Sequence, residues 1–146
     1  MTINDILNAA AKRNAIIVPP ATENDLLICQ KTMTEKKLPP IPQEYMDFLR
    51  KCNGFVWDVK FYGTNQVHYP HRGDYTLRNI VSENEDFLKH HAALNDCVFL
   101  GMGFNNDYLL VYNTSNGFFE VVDRSDHDVD KEYETFEAMF IGVVEL

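Results

Sequence analysis

Asn53 and Gly54 divide this chain into two kinds of hydrophobic pattern. Before them, Tyr45, Phe48, Leu49 and Cys52 recur at spacings of three and four and so share one side of a helix. After them, Phe55, Trp57, Val59 and Phe61 alternate with Asp58 and Lys60, as in a strand with one buried face. The two periods exclude one another, because a helix and a strand carry different residues on one face. The change of state is therefore expected at Asn53 and Gly54, which tolerate the left-handed cap of a helix. A chain with this junction needs a sheet that has helices packed on it.

The other segments extend that frame. Thr2 and Asp5 form a capping pattern ahead of Ile3, Ile6, Leu7 and Ala10, which predicts a first helix to about Arg13. "IIVPP" reads as a short extended piece. Thr22 and Asp25 repeat the cap before a second helix with Leu26, Cys29 and Met33, and "LPPIP" stiffens the link to the third. "GTNQVHYPHRGDY" reads as a loop, and Leu77, Ile80, Val81, Phe87 and Leu88 as a helical region that breaks near Asn84. "DCVFLG", "DYLLVYN" and "FFEVVD" are β-rich, the last two joined by Thr114, Ser115, Asn116 and Gly117 in a hairpin. Phe136, Met139, Phe140, Val143 and Val144 give a last helix capped by Thr135. The expectation is a single α+β domain, with an antiparallel sheet of about four to six strands and helices from both ends of the chain packed against it. The length of 146 residues, 45% hydrophobic, suits one buried core.

A net charge of −9 disfavours nucleic acid and anionic lipid as partners and favours a cationic protein. The start, "MTINDILNAAAKRN", lacks the basic flank and apolar run of a secretion signal, and no apolar stretch reaches the roughly 18 residues of a membrane helix. Cys29, Cys52 and Cys97 are widely separated and odd in number, which reads as buried free thiols in a reducing cytoplasm.

Several patterns invite chemistry. "DHDVDKEYETFE", residues 126 to 137, sets acids at the first, third, fifth, ninth and twelfth places of a calcium loop, but its sixth place is Lys131 where a sharp turn requires glycine. His68, His71, His90, His91 and Asp74 supply donors for an imagined metal site, although neighbouring histidines on a helix diverge and "HYPH" is extended. Cys52 and Cys97 belong to apolar runs and read as core residues rather than nucleophiles. "GMGF" has G-x-G between two strands, with no helix N-terminus to receive a phosphate, and reads as a turn. The aromatics between Phe55 and Tyr75 have only Lys60 and Arg72 among them, too few bases for a nucleic-acid stacking platform.

The order of motifs resembles the SUKH superfamily, which includes bacterial immunity proteins and fungal cell-wall regulators of the Smi/Knr type. The likeness is carried by Pro42, Tyr45, Phe48, Leu49, Asn53, Gly54 and Trp57 in "LPPIPQEYMDFLRKCNGFVW". "IVSENEDFL" with Asn84, "VFLGMGFNNDYLLVYNTSNGFFEVVDR" with Gly101 and Asp107, and "YETFEAMF" complete it, over roughly residues 39 to 142. The resemblance implies a sheet backed by helices and a binding role without catalysis or cofactor, commonly the neutralisation of a toxin such as a nuclease.

Residues 120 to 137 hold eight acids against only Arg124 and Lys131. Such a surface can meet the basic cleft of a nuclease and speed association. Asp126, Asp128, Asp130, Glu132 and Glu134 are the expected contacts with a cognate toxin, in the cytoplasm. A loop that merely solvates the surface has the same composition. A regulatory scaffold on an endogenous enzyme, and a small metal-dependent hydrolase built on the histidines, are the alternatives from other classes.

Overall fold

The computed structural model describes residues 1–144, and their organisation follows from a strand that is buried on both sides. In chain order the elements are α1 (Ile3–Lys12), β1 (Ile16–Ile17), α2 (Glu23–Glu35), α3 (Gln43–Leu49), β2 (Phe55–Val56), β3 (Lys60–Phe61), β4 (Val67–Tyr69) and β5 (Tyr75–Leu77). There follow α4 (Ile80–His90), β6 (Cys97–Met102), β7 (Tyr108–Asn113), β8 (Phe118–Asp123), β9 (Val129–Tyr133) and α5 (Phe136–Val143). Seven strands form one sheet in the order β1-β2-β3-β6-β7-β8-β9, with every neighbouring pair antiparallel, and β4 with β5 forms a separate hairpin.

All six residues of β6 are buried, so it is covered on both faces. Phe61 and Tyr62, consecutive in and after β3, show how. The Phe61 ring meets Tyr45, Phe48, Phe136 and Phe140 from α3 and α5, whereas the Tyr62 ring meets Phe99, which stacks on Phe87 of α4 at 4.8 Å. Side chains alternate along an extended chain, so α3 and α5 lie on one face of the sheet and α4 on the other. The first face, with Phe55 and Phe119 added, holds a continuous cluster of tilted and edge-on rings. Burial of this size dominates the stabilisation of a small domain.

Two polar side chains fix the layers. Tyr45 is fully buried, with its hydroxyl 2.5 Å from the Tyr62 carbonyl and 3.2 Å from that of Leu100. Leu100 sits in the bulge where β6 shifts register against β7, between Phe99 and Gly101. Asn84 does the corresponding work for α4. Its amide nitrogen donates to the Phe99 and Ile80 carbonyls, both at 2.9 Å, and its oxygen accepts from the Phe99 N–H at 2.8 Å. Since the pairing of β3 with β6 reaches Gly101 and Met102 and stops short of Phe99, Asn84 supplies the partner that Phe99 lacks on that side.

The α+β class, the single domain, the antiparallel sheet and both capping boxes agree with expectation. Several boundaries do not. The sheet has seven strands rather than four to six, partly because the predicted strand from Phe55 to Phe61 is a tight hairpin. Trp57 N–H donates to the Val59 carbonyl at 2.9 Å, and Phe55 lies opposite Phe61. Helix α3 ends at Leu49, and Asn53 with Gly54 is not its cap. Asn53 instead lies beside the chain before α2, where its N–H donates to Val18, and its side chain bonds Thr64 at both ends at 2.8 Å. The expected loop at residues 63 to 75 contains β4 and reaches β5 in a hairpin, with Leu77 ending β5 rather than opening a helix. Helix α4 runs unbroken through Asn84, capped by Asn79.

Two substitutions test these anchors. Tyr45→Phe removes one hydroxyl and should lower unfolding stability by about 1–2 kcal/mol, read as a lower urea midpoint at unchanged slope. Asn84→Ala strands both backbone groups of Phe99 and should cost about 2–4 kcal/mol in the same assay.

Candidate functional site

Helix α4 covers only part of its face of the sheet. Beside it lies an open cleft of about 860 Å³, lined by residues from β3, α4, β6, β7 and the turns after β6 and β8. Its floor is apolar, with Phe87, Phe99, Met102 and Leu109 buried beneath it. Charged groups ring the opening, among them Lys60, Glu83, Asp86, Asp107, Asp123 and Arg124. The turn that carries Arg124 continues into the acidic segment, so cleft and acidic edge are neighbours along the chain.

Burial shapes the electrostatics here. It lowers the Lys60 ammonium from the usual lysine range, with Glu83 acting in the opposite sense and Arg124 reinforcing the fall. Burial also raises the Glu83 carboxyl, against Arg78 and Lys60. Tyr62 is raised by burial as well and keeps its proton. Arg78 holds Asp86 at 2.7 Å and Glu83 at 3.4 Å.

The five acids expected at a partner surface do not form one loop. Asp126 and Asp128 lie in the turn after β8, Asp130 and Glu132 on β9, and Glu134 just beyond it. All five are exposed, and none has a Lys or Arg within ion-pair distance among the described residues. Backbone N–H groups organise the turn. Asp123 accepts from those of Ser125 and Asp126, and Asp126 from that of Asp128, leaving His127 at a positive φ of 63°. Glu132 lies opposite the buried Glu120, whose carboxylate accepts from Asn113 and Asn116. Among the described residues, strand β9 is the last in its sheet and pairs only with β8. Because residues 129 to 133 are extended, the segment from Asp126 to Glu137 does not wrap into a calcium loop.

The histidines are dispersed. His68 meets Asp74 at 2.6 Å across the β4–β5 hairpin, and His90 bonds the Asp86 carbonyl. His91 Nδ1 lies 2.8 Å from Nε2 of His127. The 36-residue separation of this pair hid it from any reading of local spacing. Among the described residues no three His, Cys, Asp or Glu side chains converge to hold a metal ion. The cysteines are buried, with Cys29 and Cys97 pushed up to about 11 and Cys52 up to about 12, so they remain neutral thiols packed in the core. Gly101 of "GMGF" has a packing reason: a Cβ there would collide with the Lys60 carbonyl. The turn after it is made by Asn105 and Asn106, both at positive φ.

The chain matches no protein-family model and no curated protein sequence.

The cleft has no signature in the sequence, because the alternation from Phe55 to Phe61 puts Lys60 on the solvent side of one long strand and Tyr62 has no local pattern. Burial lowers His91 below the ordinary histidine value of 6.5, with His127, Arg124 and His90 adding to the effect. The unfolded chain therefore takes up this proton first as pH falls through 6.5, and stability is lost below that value. Urea midpoints measured between about pH 7 and about pH 5 should fall, and His91→Gln should flatten that decline.

Proposed function

We propose that this protein is a non-catalytic, SUKH-type immunity protein that binds and neutralises a cognate toxin, a basic nuclease being the best match to its charge. It acts in the cytoplasm and needs no cofactor. The observation that carries the reading is the exposed, uncompensated acidic edge made by Asp126, Asp128, Asp130, Glu132 and Glu134. Carboxylates left without internal cations keep their full field for a partner, and the net charge of −9 extends that field over the surface. The antiparallel sheet backed by helices agrees with what the SUKH resemblance implies. Tyr45, Asn53, Asn84 and Gly101, four of the residues that carry the resemblance, each stand where two layers or two strands meet.

Neutralisation then works by occupation. The acidic edge meets the phosphate-binding groups of the toxin, steers the encounter and excludes substrate. No helix among the described residues is long and apolar enough to cross a membrane.

Purification of the tagged protein from its native host at low salt, followed by mass spectrometry, should retain a basic toxin in stoichiometric amount. A housekeeping enzyme in its place would transfer the reading to a regulatory scaffold. With the toxin in hand, simultaneous Asp126→Lys, Asp128→Lys and Asp130→Lys should leave the thermal midpoint nearly unchanged and slow association about tenfold or more at low salt. Unchanged association kinetics would reject the acidic edge as the contact.

A further inference from the structure

The cleft beside α4 has more hydrogen-bond donors than the protein uses. Most of its acids are already committed. Asp86 and Glu83 meet Arg78, and Asp123 holds the Ser125 hydroxyl at 2.7 Å together with backbone N–H groups of its own turn. Asp107 stands exposed at the rim. The donors are differently placed. Lys60 is half-buried, and its ammonium has no acceptor among the described residues. Tyr62 is only 3% exposed, yet its hydroxyl has no protein acceptor among those residues either. Arg124 commits one N–H, to the Asn106 carbonyl at 3.3 Å, and leaves the rest of its fork open.

The Tyr62 hydroxyl and the Lys60 ammonium open into one cleft beside the free part of the Arg124 guanidinium, and donors that converge in this way describe a site for an anion. General electrostatics does not account for it, since the protein as a whole carries −9. The repulsion between Lys60 and Arg124 is relieved when an anion lies between them. Below the donors, the floor of Phe87, Phe99, Met102 and Leu109 is apolar and cannot solvate a bare ion. The volume of about 860 Å³ falls within the range of small-molecule sites.

We infer that this cleft binds a small organic oxyanion, a carboxylate or phosphate ester carried on an aromatic or aliphatic body. Lys60, Arg124 and Tyr62 hold the oxyanion, and Phe87, Phe99, Met102 and Leu109 pack under the body. The site takes a ligand of charge opposite to that sought by the acidic edge. It goes beyond the toxin reading and does not depend on it.

Phenyl phosphate, benzoate and inorganic phosphate, titrated separately into isotope-labelled protein, test the assignment by NMR. Phenyl phosphate or benzoate should shift the signals of Lys60, Tyr62, Phe99, Leu109 and Arg124, and should bind about tenfold or more tightly than inorganic phosphate. Lys60→Met and Arg124→Gln should each weaken that binding about tenfold or more, and Tyr62→Phe several-fold. Arg124 is exposed, so Arg124→Gln remains informative if the Lys60 variant fails to fold. Simultaneous Asp126→Lys, Asp128→Lys and Asp130→Lys should leave binding no weaker, which separates this site from the acidic edge. Three results would overturn the inference: no cleft shifts at millimolar probe, affinities indifferent to Arg124→Gln, or inorganic phosphate binding as tightly as the aromatic probes.

Discussion

The hydroxyl of Tyr45 sets the geometry on which the other layers rest. It reaches through the aromatic cluster to the carbonyls of Tyr62 and Leu100, where β3 ends and β6 bulges. A carbonyl left bare in so apolar a place is costly. The Leu100 carbonyl also accepts from the Tyr62 N–H at 3.0 Å, so the closer contact, to the Tyr62 carbonyl, is the one that Tyr45 satisfies from the helix side, and it fixes the height of α3 above the sheet. It also fixes which way β3 presents its side chains. With Phe61 among the rings of α3 and α5, Tyr62 must face α4, and the face it enters is polar at its edge.

The two faces consequently have different tasks. One is filled by rings from α3, α5 and the strands. The other is covered in part by α4, whose Phe87 stacks on Phe99. Where α4 ends its cover, donors from β3 and the turn after β8 border the cleft. The acids of β9 lie farther out, on the last strand of the sheet. Charges on such a strand discourage pairing with another copy of the chain.

Local signals made much of this fold legible. Both capping boxes, the cap at Thr135 and the hairpin between β7 and β8 appear where side chains bond backbone groups within four residues. The misreadings arose where distant partners overrule a local pattern. Asn53 and Gly54 resemble a helix cap, but Asn53 serves Thr64 and Val18. The alternation from Phe55 to Phe61 resembles one strand, yet both its ends pack among the rings of α5, which a hairpin permits and a straight strand does not. The β4–β5 hairpin has too few alternating apolar residues to be visible. Of the candidate sites, the acidic edge was legible because it is a run in sequence. The cleft was not, since Lys60, Glu83 and Arg124 meet only after β3, β6, β7 and β8 have been laid side by side.

Asn84 gives the helix above the cleft a particular mechanical character. Its amide replaces a strand partner for Phe99 and is matched to one residue of β6. A greasy contact can slide by fractions of a residue, whereas this two-bond clasp on Phe99 has one position and loses both bonds at the next. Helix α4 is thus a fixed jaw. If the cleft is to widen or narrow around an occupant, the travel has to come from the opposite side, where the turn from Asp123 to Asp128 is held by its own side chains and by the His91–His127 bond.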